Sequence, residues 1–206
     1  MLALSTLEAR DLACVRGGRT VFTQLNFSVA AGHVLVLEGP NGSGKTSALR
    51  IVAGLLAPAE GSISIRIAGT GSADRDQRGR FCAWLGHQDG VKAQLTAGEN
   101  TRFFAALYGG RAKVDAALDR VGVARLRDVP AQYLSAGQKR RVALARLIVV
   151  DRPLWLLDEP FAALDASGRS LVAELIQQHC AGGGMAIIAT HEPLGIDAAR
   201  ILLARQ

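Results

Sequence analysis

The stretch GPNGSGKT, Gly39–Thr46, follows HVLVLE, an almost continuous apolar run, and leads into SALRIVAGLLAP. A short apolar run ending in glycine reads as a strand buried on both faces of a parallel sheet. Beyond the loop, Leu49, Val52, Ala53 and Leu56 recur at the spacing of one helix face, and Pro58 is expected to close that helix. Strand, glycine-rich loop and helix form the setting in which GxxxxGK[ST] holds phosphate. The glycines let successive backbone N–H groups curl around phosphate oxygens at a helix N-terminus, where the dipole also favours negative charge. Gly39, Pro40, Asn41, Gly42, Ser43, Gly44, Lys45 and Thr46 are therefore the candidate nucleotide-binding residues. Lys45 is placed to reach the outer phosphates as a catalytic cation, and the Thr46 hydroxyl to meet magnesium.

A second apolar run, PLWLLDE at Pro153–Glu159, delivers two carboxylates at its C-terminal end. Open α/β sheets bind ligands at that end of their strands. An Asp-Glu pair there can be a solvated edge or a helix cap; beside a phosphate loop it reads as chemistry. Asp158 is then placed to hold magnesium through its water shell and Glu159 to polarise an attacking water.

Composition bounds the remaining possibilities. With 206 residues, 49% of them hydrophobic, the chain is long enough for one well-filled domain spanning 1–206. A formal charge of +6 suits nucleic acid, an anionic lipid surface, or a protein that handles polyphosphates beside a membrane. Cys14, Cys82 and Cys180 stand far apart without metal-like spacing and read as buried, reduced small hydrophobes. MLALSTLEARDL lacks a basic leader, and no window reaches the roughly 18 uninterrupted apolar residues of a spanning helix. The expectation is a soluble intracellular chain whose membrane role comes through a partner.

Residues 2–38 read as short strands, with period-two character in FTQLNFSV; GSISIRIAG and RFCAWLGHQ add further strands. The connection GTGSADRDQRGR is expected to be an exposed loop with little chemistry. From Thr96 to about Val129 the pattern is helical, ENTRFFAALYGG and AKVDAALDRVGVARL forming two short amphipathic helices of an inserted subdomain, about residues 89–150. Phe103, Phe104 and Tyr108 there either form the subdomain's own core or help to receive a partner helix. Downstream come a helix through SLVAELIQQH, a strand MAIIATH and a last strand ILLA.

YLSAGQKRRVALAR, Tyr133–Arg146, raises a different question. Ser135 and Gln138 have the S-x-x-Q spacing of a capping box opening a helix over QKRRVALARLIVV. Free N–H groups at a glycine-containing helix start, beside Lys139, Arg140 and Arg141, would make a second anion site, although the phosphates already have a cradle.

LSAGQKRR resembles the signature motif of ATP-binding cassette (ABC) ATPases, and it stands between a phosphate loop and an Asp-Glu strand in that family's order. The resemblance covers nearly the whole chain. It extends to Gln88 as the glutamine of the loop between sheet core and helical subdomain, to AALD at Ala162–Asp165 as a loop linking two subunits, and to His191 as the switch histidine. It implies an α/β P-loop NTPase fold, with a RecA-like mixed-sheet core, an antiparallel β subdomain and the helical insertion. It further implies ATP and Mg2+ as cofactors and catalysis in a dimer, the signature of one copy covering the ATP held by the other. Ser135 and Gly137 would contact the γ-phosphate with Gln138 beside them, Gln88 would touch magnesium or the attacking water, and His191 would contact the γ-phosphate. Two departures stand out. Arg16 occupies the position of the family's adenine-stacking aromatic, though its planar guanidinium can stack on a purine. Ala136 replaces a glycine, which negative φ would tolerate.

LGHQDGVKAQLTAGEN, LSAGQ and ATHEPL resemble the ATP-binding subunits of cytochrome c maturation haem exporters, as does the chain's short course after His191. This implies a peripheral subunit at the cytoplasmic face of the plasma membrane. Its partners would be a second copy and integral membrane subunits, and its task to power haem handling and release of a haem-loaded periplasmic chaperone. The cassette itself is not expected to bind haem: His33, His87, His179 and His191 form no local ligand pair, and no Cys-x-x-Cys-His is present. A cassette serving another small substrate is one alternative. A nucleic-acid-associated ABC ATPase is another, although such proteins carry paired cassettes or a long coiled coil, and no specific nucleic-acid partner is expected.

Overall fold

The computed structural model describes residues 4–67, 74–108 and 114–204. Two units divide the chain: Met1–Ala83 with Arg152–Glu159 and Ile176–Gln206, and Trp84–Asp151 with Pro160–Leu175.

In the first unit, β1 (Leu4–Arg16) lies between β2 (Arg19–Ala30) and β4 (Glu60–Ile67) in an antiparallel sheet of order β2-β1-β4. Leu25, Phe27 and Val29 are buried while Asn26 and Ser28 are exposed, the alternation read from the sequence. The strands are longer than expected, at 13 residues for β1 and 12 for β2. Their register shifts between Ala9 and Leu12, where Asp11 adopts φ 48° and exchanges hydrogen bonds with Asn26 at 2.8 and 2.9 Å. A bulge moves the alternation by one residue without ending the strand, so one long strand reads as several short ones. Gly17 and Gly18, both with positive φ, close the β1–β2 hairpin.

The second sheet runs β5 (Cys82–Leu85), β6 (Leu154–Asp158), β7 (Met185–Ala189), β3 (Val34–Glu38), β8 (Ala199–Leu202) in that spatial order. β6–β7, β7–β3 and β3–β8 pair in parallel. Every residue of β6 and β7 is buried, which is why LWLLD and MAIIA are unbroken rather than alternating. β8 begins at Ala199, earlier than the expected ILLA, because Leu35 and Val36 of β3 already pair with Ala199 and Arg200. With β6, β7 and β3 adjacent and parallel, the segments after Asp158, Ala189 and Glu38 leave the same edge of the sheet.

Helix α1 (Lys45–Val52) stops well before Pro58. Gly54, at φ +80°, ends it: its N–H bonds Ile51 O at 3.1 Å and the Leu55 N–H returns to Arg50 O at 2.9 Å. This left-handed closure competes successfully with continuation of the apolar stripe. The connection expected to be an exposed loop is corrected in part. Residues 68–73 lie outside the described residues, but α2 (Arg75–Arg78) follows them, and Arg78 is 4% exposed. Its Nη1 donates to Ile51 O at 3.0 Å, using a last-turn carbonyl of α1, and burial lowers its pKa.

In the second unit, α3 (Ala97–Leu107) starts from a Thr96/Glu99 capping box. α4 (Val114–Arg120) is shorter than its expected helix, because Gly122 at φ +73° ends it and a 3-10 turn occupies Ala124–Leu126. The adjoining ends of these two expected helices, Gly109–Lys113, lie outside the described residues. Both helices pack on α5 (Ala136–Val150). α6 (Ala166–Ala181), which belongs to this unit only as far as Leu175, begins before the expected Ser170: Asp165 Oδ1 accepts the Gly168 N–H at 2.8 Å, a cap hidden in sequence by the weak helix formers around it. That bond and one from Ser167 hold the Asp165 carboxyl below its usual range. Phe104 meets Phe103 edge-on and stacks on Tyr108, with the Arg146 guanidinium 4.3 Å above its ring. Phe103 is nevertheless 52% exposed and Tyr108 38%, so this cluster is only partly a core.

Cys14, Cys82 and Cys180 are free and buried. Burial raises all three thiols, Cys82 to about 12 and Cys180 to about 11. Among the described residues no helix is long and apolar enough to cross a membrane.

Candidate nucleotide-hydrolysis site

The phosphate loop is built by backbone. Gly39 has φ 146°, and a Cβ on it would stand 2.7 Å from Ser43 Oγ; Gly44 has φ 98°, and a Cβ there would come within 2.6 Å of Val21 Cγ1. Only glycine meets both demands. Pro40 O accepts the Ser43 N–H at 3.2 Å, tightening the curl that also contains Asn41 and Gly42. Lys45 Nζ donates to Gly39 O at 2.7 Å and Pro40 O at 3.3 Å, so the cation sits across the mouth of the loop. α1 has no side-chain cap and no acidic residue in its first turn, leaving its N-terminal dipole available to an anion. Ser43 is fully buried with an unpartnered Oγ, a detail the motif alone does not reveal.

Beside it, Thr46 Oγ1 donates to Asp158 Oδ1 and Oδ2 at 3.1 and 2.9 Å, linking residues 112 positions apart. The two form a pair of hard oxygen ligands of the kind magnesium takes, on one buried carboxylate and one hydroxyl. Next in the chain, Glu159 adopts φ 48° and its N–H donates to Ala189 O at 2.8 Å. Left-handed backbone costs a non-glycine residue about 1 kcal/mol or more, and such strain clusters at functional sites. The turn points Glu159 at His191, whose Nδ1 lies 3.1 Å from Glu159 Oε1. Lys45 and Thr46 thus open the helix that follows β3, Asp158 is the last residue of β6 with Glu159 next in the chain, and His191 lies just beyond β7. Arg16 is exposed at the end of β1, opposite Arg19 across the hairpin.

Gln88, Ser135, Gly137 and Gln138 belong to the second unit. Ser135 Oγ accepts the Gln138 N–H at 3.2 Å, and Gln138 Oε1 accepts the Ser135 N–H at 2.8 Å, completing the capping box. Ala136 begins α5 in right-handed conformation, while a Cβ on Gly137 would meet Ala163 O at 3.0 Å. Close approach, not backbone freedom, makes glycine the tight fit there. The expected anion cluster needs correction. Arg140 is 1% exposed and paired with Asp89, and Arg141 donates to Val121 O and Ser167. Both guanidiniums are spent on internal acceptors, because long side chains on the buried flank of a helix reach its neighbours before they reach solvent.

The sequence profile of the ABC transporter family matches residues 22–162. The "Cytochrome c biogenesis ATP-binding export protein CcmA" of Rhodopseudomonas palustris (strain BisB5) is 49% identical over 193 residues, 93% of this chain and 94% of that protein. The protein of the same description from Paramagnetospirillum magneticum (strain ATCC 700264 / AMB-1) is 49% identical over 207 residues, covering 96% and 93%. A putative ABC transporter ATP-binding protein from Pyrococcus furiosus superposes with a TM-score of 0.85 at 27% identity, over 97% of this chain and 98% of its own. The phosphate loop, the Thr46–Asp158 bond and the Glu159–His191 pair, with identity of this extent, place the chain among the ATP-binding, ATP-hydrolysing members of the ABC transporter family.

Proposed function

We propose that this chain is the ATP-hydrolysing subunit of a membrane complex for cytochrome c biogenesis, driving haem export or handling and release of a haem-loaded periplasmic chaperone. The observation that carries the reading is 49% identity, over more than nine-tenths of both chains, to proteins described as cytochrome c biogenesis ATP-binding export proteins. The subunit works as a single domain with its helical part inserted, in a pair of identical copies at the cytoplasmic membrane face, beside integral membrane subunits. Its own exposed Phe103 and Tyr108 are available to receive one of those subunits.

In the reaction, the N–H groups of Gly42–Thr46 and the Lys45 ammonium hold the phosphates. Thr46 and Asp158, with Gln88, hold magnesium, which when bound neutralises charge on the phosphate oxygens. Glu159 accepts the proton of the attacking water, and His191 keeps its carboxylate oriented and contacts the γ-phosphate. Ser135 and Gly137 of one copy, beside Gln138, complete the phosphate site of the other, while Arg16 offers a guanidinium face to adenine.

Two measurements test this. Affinity purification from detergent-solubilised membranes is expected to recover integral membrane subunits, and a strain lacking the gene is expected to lose covalent haem in its c-type cytochromes, with recovery on re-expression. Normal haem attachment in the deletion strain would refute the biogenesis role while leaving the ATPase assignment standing.

A further inference from the structure

Arg140 does more in the second unit than fill space. Its side chain is 2% exposed, and its Nη1 donates to Asp89 Oδ1 at 2.7 Å and to Gly86 O at 2.9 Å. Those two residues flank His87–Gln88, so one nitrogen pins both ends of the segment that carries Gln88. From the same guanidinium, Nε donates to Pro160 O at 3.2 Å, and Pro160 is peptide-bonded to Glu159. The guanidinium rises from the first turns of α5, the helix opened by Ser135 and Gln138. Its planar fork has donors directed along several fixed lines, which a lysine ammonium cannot reproduce from one position. A buried cation persists only where it is paired and its donors are satisfied, and here the pairing is with the loop of one reacting group and the chain exit of another.

We propose that Arg140 is a positioning residue for ATP hydrolysis: from the signature helix, it fixes the loop bearing Gln88 and the backbone leaving Glu159, so that all three are held by one side chain. Asp89 is its anionic counterpart. This rests on the assignment of Gln88 to the hydrolytic site made above. Arg140 touches no reacting atom; its effect is exerted through the residues it holds, and so appears in turnover more than in nucleotide affinity.

The test is a double-mutant cycle on the full chain, reading steady-state ATP hydrolysis beside thermal melting. Arg140→Met is expected to lower kcat by about tenfold or more while KM for ATP stays within about twofold. Arg140→Lys keeps the charge opposite Asp89 but not the fork, and is expected to fall between. Gln88→Ala is expected to slow turnover by itself, and in that background Arg140→Met is expected to cost no more than about a further twofold, because the group being positioned is already gone. If Arg140→Met does not fold, Arg140→Lys takes its place in the cycle with the same expected non-additivity. A slow Gln88→Ala whose cost simply multiplies with that of the Arg140 variant overturns the positioning role and leaves the site assignment intact. A change confined to KM, or wild-type kcat in the Arg140 variants, overturns it likewise. A Gln88→Ala variant at full rate instead removes Gln88 from the site, and the positioning role falls with it.

Discussion

His191 Nδ1 and Glu159 Oε1 lie 3.1 Å apart across 32 residues of chain, the histidine side chain 64% exposed and the carboxylate 18%. The glutamate is carried by a left-handed turn and the histidine by the loop after β7, so the pair depends on two adjacent strand ends. Glu159→Gln keeps the shape and removes the base. It is expected to bind ATP with near-normal affinity and to turn over at least about 100-fold more slowly, as read by equilibrium nucleotide binding beside steady-state phosphate release. Near-normal hydrolysis in this variant would discredit Glu159 as the base.

The Thr46–Asp158 contact predicts a change in metal dependence. Asp158→Asn leaves a neutral amide against the Thr46 hydroxyl, and the magnesium concentration giving half-maximal hydrolysis is expected to rise by about tenfold or more. A magnesium titration at saturating ATP measures it; an unchanged midpoint would remove Asp158 from the metal site.

Lys45→Ala disables a phosphate loop, and Ser135→Arg places a bulky cation at the helix start that is proposed to serve the other copy. Neither variant alone has an intact site. Mixed in equal amounts, they can form one, and hydrolysis is expected to exceed the sum of the separate variants. Mixtures that never do so, despite forming mixed dimers, count against sites shared between copies.

The three buried thiols set a stability slope at high pH. Their folded-state pKa values are raised above the ordinary 9.0, so the unfolded chain releases these protons first as pH rises. Their contribution is therefore fully present below pH 9 and declines between about 9 and 12, where Cys82 and Cys180 titrate in the fold. Denaturant unfolding is expected to show stability falling over that window, with a shallower fall in Cys82→Ala.

Much of the site was legible because its parts are local. GPNGSGKT sits on consecutive backbone, LWLLDE on one buried strand, and the Ser135–Gln138 box within one helical turn. Local hydrogen bonding and side-chain period are written in neighbouring residues, so spacing reveals them. The reading failed where a distant atom intervened. Spacing alone puts Arg78 in a solvated loop and makes Arg140 an anion-seeking cation, whereas Arg78 bonds Ile51 O and Arg140 bonds Gly86, Asp89 and Pro160.

The sequence by itself determined the phosphate loop, the apolar strands that lead into it and into the Asp158–Glu159 pair, and the capped start of α5, since each follows from contacts within a few residues. Only the tertiary structure decided that Thr46 meets Asp158, that Glu159 turns left-handed toward His191, and that Arg140 is buried against Asp89 while half-buried Arg141 is held by Val121 O and Ser167. The reason is physical: the partner of a long polar side chain is chosen by which strands and helices become neighbours, and burial then makes that pairing obligatory.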